Sequence, residues 1–457
     1  MTASRILLFV ATGGLAAAPA CAGAWASGEQ PAPRPVAADL PTFQAPADPS
    51  AVPPEDEPPA LVEEAAPLVL EDALALALMH NPELQAFSWE SRAGEARALQ
   101  ARKIPNPELD LRYYSLGIPR GADDIDAARR RIFLRQDFEL GGKRGRRSDL
   151  AGAERDLAGW DYEAKRLEVA AVVATRFAEL LGAQHRVDAA SRSVEFFEAM
   201  HERISTLVET GALRSLELHQ SARQLALARV DLQTYESELG AARFRLAATW
   251  GSRSPLFTAA VGDLAAIGPL PGVEVVLQRA QEGPAVARWD SVLERAEAAL
   301  ALAQAERVPD LRAGAGIRWQ DDIDQHDFIV DLEIALPIFD RKQGDILEGR
   351  YNKEKALAER KAAESATAEI VAELYFRLSA AEARAAALRD EVLPAARAAF
   401  EAFRLGFEQD ASAPGNLFEA RRDLTRAETG YAAALVDYHR ALNALESLVG
   451  RPLLGVE

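Results

Sequence analysis

Glu198 and His201 stand three residues apart in a stretch of helical pattern, the spacing at which a carboxylate and an imidazole on one helix face hold an iron of a di-iron centre. Such a centre needs a second pair and two further carboxylates, and in a chain rich in glutamate and helix one pair alone is a coincidence of composition. Gly141-Gly142-Lys143-Arg144 carries the glycines and lysine of a phosphate-cradling loop. It lacks the spacing of that loop and the Ser or Thr that must follow the lysine, so it reads as a turn from strand to helix. With six His, three Met and one Cys in 457 residues, the chain offers no His-rich or Met-rich tract for specific metal capture. A single cysteine also excludes an intramolecular disulfide and a multi-cysteine centre. No nucleophile, base and orienting acid form a set, so neither an enzymatic activity nor a cofactor is expected.

The elements that would position these residues are written twice. Leu218, Leu225, Leu232, Leu239 and Leu246 recur every seven residues, and 199 positions later Leu417, Leu424, Tyr431, Tyr438 and Leu445 repeat the spacing. Arg223, Ala228, Ala242 and Gly251 match Arg422, Ala427, Ala441 and Gly450 at the same offset. Ala101 to Pro105 and Ala305 to Pro309 open comparable alternating segments 204 positions apart. Each half thus predicts a helix, a β-hairpin, a long helix, a turn and a helix, with pseudo-twofold repetition of the whole.

The helices are too long for a thick globular core. From Arg144 to Leu207 there is no proline and an apolar stripe runs through Val173, Leu180, Val187 and Val194; roughly 64 residues at 1.5 Å each extend about 95 Å. In the second half Leu374, Leu378, Ala381, Ala385, Leu388, Val392, Ala395 and Ala399 alternate steps of four and three, a coiled-coil seam whose alanines permit close approach. Pro394 is expected to bend or break that helix. Gly211 and Gly406 are expected at the left-handed positions where the chain reverses, giving two long antiparallel hairpins. Helices alone would equally describe a periplasmic coiled-coil adaptor or scaffold.

The strands distinguish these readings. Leu311, Ala313, Ala315, Ile317 and Trp319 alternate with Arg312, Gly314, Gly316 and Arg318, and Phe328, Val330, Leu332, Ile334 and Leu336 with Ile329, Asp331, Glu333 and Ala335. In the first half Leu109, Leu111 and Tyr113 oppose Asp110, Arg112 and Tyr114, then Ile132, Leu134 and Phe138 oppose Arg135, Asp137 and Glu139. Segments of this length cross a bilayer as tilted strands. Four strands close nothing, and a spanning sheet can have no free edge, so several chains must share one barrel.

Composition agrees. The chain is 49% hydrophobic but only 7% aromatic, a balance suited to long, close helices, and its net charge of -18 argues against nucleic acid while favouring cations in any lumen. Arg5, the apolar run from Ile6 to Ala18 and Ala24-Trp25-Ala26 mark residues 1–26 as a secretory signal. Cys21 is expected to leave with it; the alternative, acylation as a lipoprotein's first residue, is weakened by Ala18-Pro19-Ala20, which lacks the usual leucine. Residues 27–66, with ten prolines among acids, are expected to stay unpacked. The expected organisation continues with a first repeat over 67–251, a connector over 252–283, a second repeat over 284–451 and an end at 452–457.

On these residues the chain resembles the TolC family of outer-membrane efflux channels, from about Leu68 to Pro452. The marks are Leu74 to Leu84 with Asn81-Pro82, the turn Leu140-Gly-Gly-Lys-Arg144, its counterpart Leu336-Pro-Ile-Phe-Asp-Arg-Lys-Gln-Gly344 and the closing Leu448-Val-Gly450. The two turns are most similar to the cobalt-zinc-cadmium and copper branch. The resemblance implies a mainly α fold with a small β part: a homotrimer with a shared twelve-stranded barrel in outer-membrane lipid and a periplasmic α-barrel. It implies an exit duct for heavy-metal cations, joined through a periplasmic adaptor to an inner-membrane pump of the RND type; drug efflux or type I protein secretion uses the same architecture. In the family, acids just past the second hairpin glycine narrow the periplasmic mouth. The matching positions here are Asn416 and Glu419, with Glu217 and Gln220 in the first hairpin, so the paired aspartates are missing and a ring of Glu419 is the expected remainder. Gln409 to Pro414, including Asp410, lengthens the second tip and is expected to adjust the fit to the adaptor.

Overall fold

A computed structural model of the protein describes residues 32, 34–48, 63, 65–116, 127–320, 325–409 and 414–454. The first half runs α1 (Leu70–His80), α2 (Pro82–Ala101), β1 (Glu108–Leu116), β2 (Ala127–Phe138), α3 (Lys143–Glu209) and α4 (Ser215–Ala247). The second runs α5 (Val273–Gln281), α6 (Pro284–Ala305), β3 (Leu311–Gln320), β4 (Gln325–Ile334), α7 (Gln343–Ala387), α8 (Leu393–Gln409) and α9 (Pro414–Val449). The halves therefore repeat in element order. Gly251 and Gly450, matched at the 199-residue offset, both adopt left-handed backbone, at φ 78° and 72°, directly after the closing helix of each half.

The long helix expected over 144–207 is α3, 67 residues that pack against α2, α4, α6 and α9. Its length is compatible with burial because small residues recur along the buried face: Ala151, Ala158, Ala170, Ala183, Ala189 and Ala190 let neighbouring helices come close. The heptad residues point inward as predicted. Leu246, Tyr438 and Leu445 are fully buried, Leu225, Leu417 and Leu424 nearly so, and Leu218, Leu232, Leu239 and Tyr431 pack at the margins of the cores. Asn81, between α1 and α2, accepts from the Leu84 N–H at 2.9 Å and donates to the Thr249 carbonyl at 2.7 Å, which ties the first helices to the end of α4.

The four strands form one antiparallel sheet in the order β1-β2-β3-β4. Its register puts Leu109, Leu134, Ala315 and Val330 in one row and Leu111, Ile132, Ile317 and Phe328 in the next. Most of these large side chains are exposed, Leu111, Val330 and Leu332 by more than 60%. The opposite face is charged. Asp110 pairs with Arg131 at 2.6 Å and Arg112 at 2.9 Å, Asp137 with Arg312 at 2.7 Å, and Asp327 with Arg318 at 2.9 Å. Phe133 turns to that side, in one row with Asp110, Gly316 and Ile329. It is 1% exposed because Gly314 and Gly316 leave it space across the strand and the Arg131 and Arg135 guanidiniums lie 5.1 and 5.4 Å from its ring.

Gly141-Gly142-Lys143 is a strand-to-helix turn: both glycines have left-handed backbone, and Lys143 meets Asp310 at 2.7 Å. The break expected at Pro394 takes the form of a π-helical turn over Leu388–Val392 between α7 and α8. Widening the helix there accommodates the residue that cannot donate a backbone hydrogen bond.

Two expectations need correction. Gly406 lies inside α8 rather than at the reversal, because the helix continues to Gln409. The unpacked tail is contradicted over residues 34–48. Arg166 donates to the carbonyls of Arg34 and Val36 at 2.8 Å each, Tyr162 to that of Phe43 at 2.6 Å, and Ala45 is 1% exposed. Proline leaves carbonyls without local partners, and here buried side chains of α3 supply them, so tertiary hydrogen bonds, together with Ala37 and Leu40 packed on the core, offset the ordering of the segment. Residues 1–31, and with them the secretory signal and Cys21, lie outside the described residues.

Candidate functional site

The far end of the helical hairpins holds the positions expected to form a gate. In the first hairpin, α3 stops in a two-bond cap: Ala212 N–H donates to the Leu207 carbonyl at 2.8 Å and Gly211 N–H to that of Val208 at 3.0 Å, with Gly211 at φ 75°. The chain then reverses into α4, where Glu217 and Gln220 occupy the first turns. Glu217 is buried and paired with exposed Arg214 at 2.9 Å; Gln220 is half-buried. The first-hairpin acid is thus engaged within its own turn.

In the second hairpin, α9 begins at Pro414, a residue suited to a first helical position. Asp410 lies outside the described residues. Asn416 and Glu419 are exposed and line a groove of about 570 Å³ between the start of α9 and the π turn with α8. Val392, Ala395, Ala399 and Phe403 form its apolar floor, and Glu391, Glu419 and Asp423 contribute carboxylates. The structure brings Asn416 and Glu419 together here and leaves Glu217 and Gln220 outside this lining. Glu391 and Asp423 were missed in the sequence, although the four-residue step from Glu419 to Asp423 places both acids on one helix face.

Behind the groove the two hairpins share a core of Phe197, Ile204, Leu225, Phe407, Leu417 and Phe418. Arg421 is driven into its margin. Only 6% exposed, its guanidinium sits 5.8 Å from the Phe196 ring of α3 and 5.6 Å from the Phe400 ring of α8. Among the described residues its Nε and one terminal nitrogen have no hydrogen-bond partner, and burial pulls its pKa down. No sequence pattern marked it, since an arginine on a heptad helix ordinarily snorkels to water.

Glu198 and His201 do not converge on a common point: Glu198 meets Arg229 at 2.6 Å and His201 Nδ1 lies 2.8 Å from Ser221 Oγ. Among the described residues no group of three or more His, Cys, Asp or Glu side chains could hold a metal ion, and no helix is long and apolar enough to cross a membrane.

The family described as outer membrane efflux protein matches residues 73–252 and 277–451. The cobalt-zinc-cadmium resistance protein CzcC of Cupriavidus metallidurans is 30% identical over 389 residues, covering 85% of this chain and 91% of its own. The nickel and cobalt resistance protein CnrC of the same organism is 28% identical over 61% of this chain and 65% of its own. Among solved structures, the open-state MtrE outer membrane channel of Neisseria gonorrhoeae superposes with a TM-score of 0.72 at 17% identity, covering 84% of this chain and 89% of that one. CusC superposes at 0.71 and 15% identity over 90% of this chain and 99% of that one. At such identities the structural likeness speaks for the fold.

Proposed function

The chain belongs to the outer membrane efflux protein family, and from that premise we propose that it is the outer-membrane exit duct of a tripartite pump that expels heavy-metal cations. The observation that carries the cargo is the 30% identity to a cobalt-zinc-cadmium resistance protein along nearly the full length of both chains. Its relatives are channel proteins, and the proposed role is passive: the chain conducts ions and catalyses nothing.

Three protomers would close twelve strands into one barrel, outward rows of Leu, Ile, Val and Phe against lipid and the Arg-Asp face toward the lumen. The long hairpins would line a periplasmic tunnel. A chain of net charge -18 supplies a potential that concentrates cations in such a passage, and the carboxylates of Glu391, Glu419 and Asp423 extend it to the tip. Carboxylates scattered along a wide path attract hydrated divalent ions without holding them, as transit requires. The groove beside the π turn is the surface offered to a periplasmic adaptor, which would link the duct to an inner-membrane RND pump. Opening would then be a shear of α8 and α9 against α3 and α4, exchanging contacts around Arg421.

The test is deletion of the gene followed by measurement of cell-associated zinc, cadmium, cobalt and copper after exposure, alongside retention of a hydrophobic dye. Excess metal with normal dye is the expected result. Raised dye with unchanged metal would assign the duct to drug export instead.

A further inference from the structure

The repeat closes one junction inside the chain and leaves its counterpart open. At the helix end of the sheet, the turn between β2 and α3 packs on the link between α6 and β3. A methyl group on Gly141 would lie 2.7 Å from Val308 Cβ, and Asp310 Oδ1 accepts from the Leu140 N–H at 3.1 Å and from Lys143 at 2.7 Å. A first-half turn is thus seated on a second-half link. At the 204-residue offset Val308 and Asp310 correspond to Ile104 and Asn106, just before β1, and the turn after β4, from Leu336 to Lys342, corresponds to the turn after β2. These counterparts stand at the two edges of the sheet, about 14 Å apart over three strand spacings.

Both are unpartnered. Leu140 lies three residues before the start of α3 and Leu336 seven before the start of α7, so the second turn is the longer one. Its added length carries Ile338 and Phe339, 60% and 90% exposed. At the opposite edge, Ile104, Phe138 and Leu140 are also exposed and floor a groove of about 540 Å³. The acids of that groove are engaged within the chain, Asp137 with Arg312 at 2.7 Å and Glu139 with Arg147 at 2.5 Å. Among the described residues Arg144 on its rim is in no ion pair, and the turn brings Asp340, also in none and bonded only to the Lys342 N–H at 2.8 Å. Neither the Asn106 side chain nor the Leu336 N–H has a hydrogen-bond partner among the described residues. Lys342, the counterpart of Lys143, already meets Asp345 at 3.0 Å, which suits an amide rather than a carboxylate at position 106.

An apolar knob at one edge and an apolar groove at the other form a head-to-tail surface, which is satisfied throughout only in a closed ring of copies. We propose that Phe339 of each protomer seats in the groove before β1 of the next, with Ile104 beneath it and Asn106 accepting from the Leu336 N–H, so that the chain's own junction is repeated between copies. The occupant is a second copy rather than lipid, because the chain already contains this geometry once, with the same kind of link and the same kind of turn. The contact rests on the barrel reading and adds to it a lock where the barrel meets the helices.

Ile104→Cys with Phe339→Cys in the full protein, kept in outer membranes and treated with a short bifunctional thiol reagent, tests it. Leu111→Cys with Phe328→Cys in the strands is the reference pair. Both pairs should give a ladder of one, two and three chains, and no single variant should. Phe339→Asp should shorten the lifetime of the oligomer in detergent about tenfold, and Phe339→Leu should keep most of it. Neither change should disturb the fold of one chain, since position 339 is exposed there. A ladder from the strand pair alone, or an oligomer indifferent to Phe339→Asp, would overturn the junction and leave the barrel standing. No ladder from either pair would overturn the barrel reading together with it.

Discussion

At the scale of single residues, burial separates the acids proposed to serve conduction from those that serve folding. Glu419 is exposed in a groove that also presents Glu391 and Asp423. Replacing Glu419 with Gln removes one of these three charges per protomer, so the bilayer reversal potential in a salt gradient should move toward the non-selective value without vanishing. An unchanged potential would place the filter elsewhere. Glu446 behaves differently: it is largely covered, accepts from the Leu453 N–H at 2.8 Å, and burial raises its pKa above the ordinary 4.5. The folded state thus keeps a proton that the unfolded chain releases at lower pH. Its contribution is complete below about pH 4.5 and declines as pH rises through the folded pKa. Glu446→Gln preserves the acceptor and cannot ionise, so the melting temperature should rise at pH 7 and be unchanged at pH 4. A loss at both values would mean that the shape and hydrogen bonding of the carboxyl group, and not its charge, are needed.

At the scale of elements, the 34–48 strap shows how a disordered-looking sequence becomes structure. Glu163 and Arg166, one turn apart on α3 and 4% and 3% exposed, pair at 2.8 Å, and together they bind the Arg34 N–H and the carbonyls of Arg34 and Val36. Removing one member of a buried pair costs about 3–5 kcal/mol. Arg166→Ala should therefore release the strap, read as faster hydrogen exchange across 34–48, while α8, at the far tip, keeps its protection. Arg421 sets the opposite expectation, because its charge is buried between Phe196 and Phe400 without full pairing. Arg421→Met should stabilise the resting tip by about 1–2 kcal/mol, seen as slower exchange in α8 and a lower open probability. Faster exchange would show the stacked cation to be a net stabiliser. These two arginines also mark where sequence reading stops. Heptads, dyad strands and the Gly211 cap were legible because each is a local pattern imposed by one periodicity or one backbone conformation. The strap was not, since its partners lie some 120 residues away on α3. Gly406 misled because glycine permits a left-handed turn without requiring one, and the helix carried on for three residues. At the tip, sequence located Asn416 and Glu419 but could not show that Glu217 is held by Arg214 or that the π turn provides the groove's other wall.

At the scale of the whole molecule, the sheet is incomplete by itself. β1 and β4 are its two edges, and its outward rows expose large apolar side chains that water would not tolerate in a monomer of this size. In the proposed barrel, closure would bring β4 of one protomer to β1 of the next; the repeat supplies two hairpins per chain, so each such interface would join an edge of the first to an edge of the second. Proteins carrying a cysteine on the outward face of each edge, Leu111→Cys with Phe328→Cys, should cross-link between protomers through a short bifunctional thiol reagent. Cys21 should not interfere, because it lies within the expected secretory signal. The products should form a ladder of one, two and three chains in denaturing gels, and each single variant should remain a monomer there. A ladder ending at two would mean that the sheet closes in a different stoichiometry. Linkage within one chain would mean that its four strands curl onto themselves, which leaves too small a perimeter for any duct.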